Sequence, residues 1–246
     1  MAFRSFFLLL FFSLSAQAGQ VAEEDLQRAQ RLLQQGYQAR ACMLFLDYAE
    51  QGDAAARERV AHCYEQGLGF KRDLQKAIYW YTESARQGNS DAENRLGELL
   101  LAGRGTQKNP RGAALLFERA AKQGHTQAQY HLAALHEAGQ VIPKNLPEAF
   151  RLYKAAAEKG YVPAELALAR LYDQGWGTKR DLQAAIRWYA KAAEAGNAEA
   201  QYQLALKYFR GNGVPRDIDH ASQLLEKASL QGHEEAQALL QKIEAW

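Results

Sequence analysis

The residue types in this chain that could take part in chemistry are paired glycines, histidines, serines and two cysteines. Paired glycines can form loops that hold a phosphate, but a dinucleotide-binding fingerprint also needs a preceding strand and a third glycine three residues further on. Neither feature accompanies the four Gly-x-Gly pairs of this chain, which are Gly67/Gly69, Gly103/Gly105, Gly175/Gly177 and Gly211/Gly213. Because the pairs recur at a fixed period, we interpret them as structural turns.

The six histidines lack the spacing of a metal site. His131 and His136 are five residues apart and would therefore point to different faces of a helix. Neither His-Glu-x-x-His nor Cys-x-x-Cys occurs, and no serine begins Ser-x-x-Lys or lies within Gly-x-Ser-x-Gly. His125 and His233 each follow a glycine of the repeat described below, so we expect both at helix starts. We predict no catalytic residue, no metal and no cofactor, and we do not expect an enzyme.

Cys42 and Cys63 are the two cysteines of the chain. Cys42 lies ten residues before Gly52 and Cys63 eleven residues after it, so the two would lie at similar heights if Gly52 marks a turn between antiparallel helices. A bridge requires Cα atoms roughly 4.4–6.8 Å apart, and the small residues Ala41 and Ala61 would permit that approach. The pattern favours a structural disulfide, and two small buried hydrophobic side chains are the alternative.

These residues are positioned by a repeat of 36 residues. A glycine that ends a helix recurs at this spacing, at Gly52, Gly88, Gly124, Gly160, Gly196 and Gly232. A second glycine column would end the first helix of each pair in the left-handed conformation, and it comprises Gly67, Gly103, Gly139, Gly175 and Gly211. The residues expected to cap the second helices are Asp73, Asn109, Asn145, Asp181 and Asp217. One pair cannot bury its apolar face alone, so the copies are expected to stack.

The repeat also defines the organisation of the chain. Residues 53–232 are expected to form five repeats, preceded by a divergent helix pair at 19–52 and followed by a capping helix at 233–246. Residues 1–18 are predicted to be a signal peptide, because Arg4 precedes an apolar segment too short to span a bilayer and an Ala-x-Ala site ends at Ala18. We therefore expect a periplasmic or secreted protein without stable membrane insertion. A formal net charge of +2, with both signs interspersed, does not favour nucleic acid as a partner.

The chain resembles the Sel1-like repeat family, a relative of the tetratricopeptide repeats. The resemblance is carried by the segment LARLYDQGWGTKRDLQAAIRWYAKAAEAG, which begins at Leu168, and by similar segments in other copies. The resemblance implies an all-α fold, a right-handed superhelical solenoid of stacked antiparallel helix pairs. Members of this family act mainly as adaptors in envelope assembly, motility, exopolysaccharide export and host interaction. In cysteine-rich relatives, bridges between neighbouring helices are familiar, and some of these relatives have been assigned penicillin binding or weak β-lactamase activity.

We expect a partner on the first helices of successive pairs, which line one concave surface in a curved stack. Tyrosine and arginine are enriched at binding hot spots, although packing on neighbouring helices would also explain the tyrosines. The candidate binding residues are Asn94, Arg95, Glu98, Tyr130, His131, Arg170, Tyr202 and Gln203. We predict an exported scaffold that binds a partner protein or peptide there, in bacterial envelope assembly, motility or export. An envelope hydrolase or cell-wall-fragment binder is the alternative, and the sequence does not choose between a peptide and a glycan.

Overall fold

Helices account for the regular structure of the chain over residues 24–245, the range that the computed structural model describes. Thirteen helices and no strand occur in this range, which confirms the predicted all-α class. The helices are α1 (24–34), α2 (Gln38–Glu50), α3 (Ala54–Gln66), α4 (Leu74–Arg86), α5 (Ser90–Ala102), α6 (Pro110–Lys122), α7 (Thr126–Ala138), α8 (Leu146–Glu158), α9 (Val162–Gln174), α10 (Leu182–Glu194), α11 (Ala198–Arg210), α12 (Ile218–Leu230) and α13 (Glu234–Glu244). The predicted signal peptide lies outside the described residues.

The helices begin where the sequence places capping side chains. Asp73 accepts hydrogen bonds from the backbone amides of Gln75 and Lys76, each at 3.0 Å. The same role at the other second helices is taken by Asn109, Asn145, Asp181 and Asp217. His125 and His233 cap α7 and α13 through Nδ1, which confirms that they are helix-start residues. A side-chain cap of this kind contributes about 1 kcal/mol because it satisfies an amide that has no partner inside the helix.

Glycines form the turns that end the first helices, in four of the five repeats as a Gly-x-Gly pair. Gly67, Gly103, Gly139, Gly175 and Gly211 all adopt the left-handed conformation, as the sequence predicts. The second glycine of each pair is also left-handed and lies close to the preceding second helix: a Cβ on Gly177 would overlap the carbonyl oxygen of Leu146 and lie 2.9 Å from Pro147 N. Val141 occupies this position in the third repeat without a positive φ, so that turn takes a different course.

Alanine and bulky side chains fill the space between helices in two columns. The alanines of the second helices are fully buried, and they are Ala77, Ala113, Ala149, Ala185 and Ala221. The adjoining bulky column is also buried, and it consists of Tyr81, Phe117, Tyr153, Tyr189 and Leu225. The small residues let a second helix approach its neighbours closely, while the bulky ones fill the space that remains.

A polar contact between consecutive helices accompanies this apolar core. Near the start of α3, Arg57 Nε donates to Ala49 O at 3.0 Å, and near the start of α11 the amide of Gln201 donates to Ala193 O at 3.1 Å. Each carbonyl lies in the last turn of the preceding helix and also accepts from the amide of the glycine that follows, Gly52 or Gly196, so the side chain provides its second hydrogen bond. The contact therefore fixes the approach of one helix pair to the next.

A disulfide joins α2 to α3. The Cα atoms of Cys42 and Cys63 are 6.1 Å apart, and both side chains are buried. Ala41 and Ala61 beside them are fully buried as well, in keeping with a close approach of the two helices. The bridge lies where the divergent first pair meets the first regular repeat.

The chain divides into two compact units, with the division between Ala120 and Ala121. In unit 1, α3 packs against α2 and α4, and α4 packs against α5. In unit 2, each helix from α7 to α13 packs against the next along the chain. Sequential packing of this kind is typical of a solenoid. No helix among residues 24–245 combines the length and the apolar character that crossing a bilayer requires.

Candidate functional site

A cavity of about 340 Å³ lies on the first helices of unit 2, between α7, α9 and α11. Its lining includes Tyr130, Tyr153, Leu166, Arg170, Tyr189 and Gln203. The repeat creates this arrangement, because α7, α9 and α11 each present the same face at successive positions along the stack. The volume is at the lower end of the roughly 300–1,000 Å³ of ligand pockets.

One wall of the cavity is a group of tyrosines. The ring of Tyr130 lies 5.6 Å from that of Tyr153 and 5.3 Å from that of Tyr161, measured between centroids. These edge and tilted geometries are favourable for aromatic pairs and hold the Tyr130 ring in place. The same ring also contacts His131 at 5.6 Å, so His131 supports this wall from outside the cavity lining. The wall is a fixed apolar surface with polar edges.

Arg170 supplies the positive charge of the site. Its Nη2 atom lies 2.7 and 2.9 Å from the two carboxylate oxygens of Glu137, and half of its side chain is exposed. The Tyr153 hydroxyl donates to the same carboxylate at 2.9 Å. Burial, followed by the charge of Glu137, raises the pKa of the Tyr153 hydroxyl, which therefore stays protonated and remains a hydrogen-bond donor. The guanidinium is thus held in position while one side still faces solvent.

A second ion pair lies beside the cavity and contributes Asp173 to its lining. Lys207 Nζ is 2.6 Å from Asp173 Oδ2, and both side chains are about nine-tenths buried. Burial and the charge of Asp173 raise the pKa of the neighbouring Tyr189 hydroxyl. Because a buried charge is costly without a partner, this pair serves the fold and leaves Arg170 as the accessible cation of the lining.

The rim of the cavity at α11 carries polar groups that are themselves fixed. The Gln203 amide donates to Glu199 Oε1 at 2.7 Å, and His233 Nε2 lies 3.0 Å from Glu199 Oε2. The ring of Tyr202 packs on that of His233 with centroids 4.7 Å apart. Tyr202 therefore contributes to the support of the rim, since it is absent from the cavity lining itself.

The predicted residues of unit 1 form a separate cluster of charges around Glu65. The Glu65 side chain is completely buried and accepts from Arg95 Nε at 2.8 Å and from the Tyr81 hydroxyl at 3.0 Å. Arg95 also pairs with Glu98, which accepts from Asn94 Nδ2 at 3.0 Å. Burial by itself raises the pKa of the Glu65 carboxyl, but the hydrogen bonds and charge of Arg95 outweigh it and lower that pKa overall.

Replacing Glu65 by glutamine is expected to lower the free energy of unfolding by about 2 kcal/mol near neutral pH, because a buried ionic hydrogen-bond network loses its anion. The folded-state pKa of Glu65 is lowered, so its contribution is present above the unfolded-state pKa of about 4.3 and is lost as pH falls through the folded value. Urea unfolding of wild type and Glu65→Gln should therefore give stabilities that draw together as pH falls below the unfolded-state pKa of about 4.3 and that converge below the folded-state pKa. The exposed pair Glu148–Arg151 provides the control: Glu148→Gln should cost less than about 1 kcal/mol. A pH-independent gap between wild type and Glu65→Gln would contradict the ionic role.

The structure thus brings together only part of the predicted binding set. Tyr130, Arg170 and Gln203 line the cavity, whereas His131 and Tyr202 support its edges. Asn94, Arg95 and Glu98 belong to the Glu65 cluster in unit 1. Their proposed role in binding stays a prediction, and the contacts that engage Arg95 give it a structural role as well.

Sequence reasoning missed the carboxylates that hold these cations. Glu65, Glu137 and Asp173 occupy one position of the repeat, and in these three copies a tyrosine follows 16 residues later. The other two copies carry apolar residues at both positions, Leu101 with Phe117 and Phe209 with Leu225. The joint change of both positions was the available signal, because the tyrosine hydroxyl donates to the carboxylate in the Glu65 and Glu137 copies, a bond that Phe and Leu cannot make. Within residues 24–245, no three His, Cys, Asp or Glu side chains are grouped to hold a metal.

The family model and the similar solved structures point to the same family. The Sel1 repeat model matches residues 54–89, 90–125, 126–161, 162–197 and 198–233. A Sel1 repeat protein from Oxalobacter formigenes is similar in structure, with a TM-score of 0.82 and 30% sequence identity over 88% of this chain and 86% of that one. The protective antigen c5321 of uropathogenic Escherichia coli, which has the SLR fold, gives a TM-score of 0.81 at 23% identity over 89% of this chain. The present chain covers 48% of that antigen's length.

No curated protein matches the chain in sequence. The family match nevertheless extends without a gap through five consecutive copies, from residue 54 to residue 233. These copies contain the helix caps, the turn glycines and the buried alanine column described above. The chain belongs to the Sel1 repeat family.

Proposed function

We propose that this chain is an exported scaffold that binds a peptide segment of a partner protein in the cavity of unit 2. Proteins of the Sel1 repeat family are in general protein-interaction scaffolds. The observation that carries the proposal for this chain is the cavity itself, in which a tyrosine wall and one accessible guanidinium are held by neighbouring side chains. Groups that are fixed before binding lose little conformational freedom when a partner arrives, which favours affinity.

The chemistry of the cavity indicates the kind of peptide. A large apolar or aromatic side chain would insert between Tyr130 and Leu166, where apolar area can be buried on both sides. Gln203 and Glu199 at the rim offer a donor and acceptors to the peptide backbone beside that anchor. Arg170 would donate to a carbonyl or carboxylate of the same segment, since the guanidinium retains donors that Glu137 does not occupy. The result is a central anchor with a polar rim, the usual anatomy of an interface.

Location and process form the further part of the proposal. We place the mature chain in the periplasm or outside the cell, acting in envelope assembly, motility or export. The predicted signal peptide at residues 1–18 and the disulfide between Cys42 and Cys63 support this placement, because disulfides persist in oxidising compartments. The mixed surface charge supports a protein partner over nucleic acid.

Random linear peptides displayed on phage and selected against the disulfide-bonded protein provide a defined probe. The best synthetic peptide should bind Tyr130→Ala and Arg170→Ala at least tenfold more weakly than wild type by isothermal titration calorimetry, a loss of at least about 1.4 kcal/mol. Arg187→Ala is the matched control, because it removes an exposed arginine of α10 that is absent from the cavity lining. Thermal unfolding of each variant separates lost binding from lost folding. Selected peptides that bind all three variants as tightly as wild type would place the binding surface elsewhere.

A further inference from the structure

Unit 1 carries a row of exposed apolar side chains on its second helices. Met43 on α2, Tyr79 on α4 and Leu115 on α6 are 56%, 57% and 64% exposed. They occupy one position of the 36-residue register, and we call them the apolar stripe. At the same position unit 2 has Arg151, Arg187 and Gln223. The fold therefore does not require an apolar residue there, and the stripe is a property of unit 1 alone.

The three helices of the stripe lie side by side. Trp80 of α4 packs against the core that α2 and α3 form around Phe45. Leu116 of α6 packs in turn against the core around Tyr81 of α4. Each of these residues directly follows a member of the stripe, so Tyr79 and Leu115 lie beside the side chains that pack towards the preceding helices, while their own side chains are exposed. The stripe thus runs across the second helices of unit 1 at one register position.

Most charges on either side of the stripe are separated by sign, and the exception is Arg119, one turn beyond Leu115, which pairs with Glu93 and donates to the carbonyl of Ala85. About one turn towards the helix N-termini each helix has a basic residue, and these are Arg40, Lys76 and Arg111. About one turn towards the C-termini each helix has an acidic residue, and these are Asp47, Glu83 and Glu118. Glu83 also forms an exposed ion pair with Arg86 of its own helix, which contributes little to stability. A helix is stabilised by acidic residues near its N-terminus and basic residues near its C-terminus. Helix stability therefore does not explain the basic row near the N-termini, although α4 also has Arg86 in its last turn. The charge pattern beside the stripe points instead to recognition of a partner surface.

We propose that a second copy of this chain covers the apolar stripe, in a symmetric dimer whose two-fold axis runs along the stripe. Rotation about this axis reverses the helix directions, so the basic row of one copy faces the acidic row of the other while the apolar residues meet at the centre. Each residue of the stripe then faces its own counterpart. A two-fold axis parallel to the helices would instead place basic rows opposite each other, which like-charge repulsion disfavours. Such a self-complementary patch is what a two-fold interface requires.

Charge reversal tests both the dimer and its axis. Sedimentation velocity over a range of concentrations should show a monomer–dimer equilibrium for the disulfide-bonded wild-type protein. Lys76→Glu should weaken association at least tenfold, since the new carboxylate faces Glu83 of the other copy, and the double variant Lys76→Glu with Glu83→Lys should restore it. Arg187→Glu changes the net charge by the same amount as Lys76→Glu on a second helix of unit 2, and it should leave association unchanged. A wild-type protein that stays monomeric, or a double variant as weak as the single one, would overturn the proposal.

Cysteine cross-linking reports on the axis independently of affinity. With the axis along the stripe, Met43→Cys should form a covalent dimer under mild oxidation, because position 43 faces position 43 of the other copy. Leu115→Cys should do the same. Under the alternative axis, neither single variant would cross-link efficiently and only a mixture of the two would, and this outcome would overturn the proposed geometry. All three stripe positions are exposed, so these variants are expected to fold.

Discussion

Gly177→Ala is expected to lower the free energy of unfolding by about 2–5 kcal/mol, the stability effect with the highest upper limit among those predicted for this chain. Two costs combine at this position. The residue has a φ of +70°, which an alanine adopts only with strain of roughly 1–2 kcal/mol. Its added Cβ would overlap the carbonyl oxygen of Leu146 and approach Pro147 N to 2.9 Å, so backbone of α8 has to move. Backbone shifts of that kind typically cost about 1–3 kcal/mol more.

Gly160→Ala isolates the first of these costs. Gly160 has a φ of +81°, but no heavy atom lies within 4 Å of the point that an alanine Cβ would occupy, so only the conformational strain applies. Urea unfolding followed by circular dichroism should therefore place Gly160→Ala about 1–2 kcal/mol below wild type and Gly177→Ala clearly lower. Equal losses for the two variants would contradict the predicted overlap with Leu146. They would show that the backbone at Gly177 shifts to accommodate the added Cβ without further cost.

The helices of this fold were predictable because each one begins and ends with local interactions whose residue types recur in every repeat. An Asp or Asn at the start of a second helix satisfies the same amides in every copy, and a glycine ends the first helix in the same conformation in every copy. Ala77 and Tyr81 could be assigned to the core because their types recur at one register. Repetition thus separates a structural residue from an accidental one, even in a single sequence.

The ion pairs could not be predicted from those columns. Arg95 reaches Glu65 across 30 residues, Arg170 reaches Glu137 across 33, and Lys207 reaches Asp173 across 34. The cation comes from a different register position in each case, so no single spacing marks the interaction. Only the packing of adjacent first helices decides which long side chain arrives at the carboxylate. The candidate site has the same origin, because its cavity arises from the surfaces of three helices together.

Arg170 illustrates the consequence for function. As a residue type on an exposed helix face it was a reasonable candidate for binding, and the structure places it in the cavity lining. Arg95 is also an arginine and lies three positions earlier in the repeat, about one helical turn away, but it pairs with the fully buried Glu65. The difference is one of degree, since the Arg95 side chain is 31% exposed against a fully buried carboxylate, whereas Arg170 is 49% exposed against a carboxylate that is 17% exposed.

Removal of the disulfide by Cys42→Ala with Cys63→Ala is expected to lower the free energy of unfolding by about 3 kcal/mol, because the bridge closes a loop with a sequence separation of 21 and restricts the unfolded chain. Alanine suits both positions, since Ala41 and Ala61 already lie buried beside them. Without reductant, urea unfolding should therefore give the wild type a free energy of unfolding about 3 kcal/mol higher than that of the double variant. Reductant should bring the wild type to the stability of the double variant.

The double variant itself is the control for this experiment, because reductant has no bond to break in it and should leave its stability unchanged. A wild type that resists unfolding equally well with and without reductant would show that packing alone holds α2 against α3. The expected dependence has a consequence for the proposed location. About 3 kcal/mol is a large part of the roughly 5–15 kcal/mol that stabilises a typical domain, so unit 1, which also carries the apolar stripe, would reach its full stability only in an oxidising compartment.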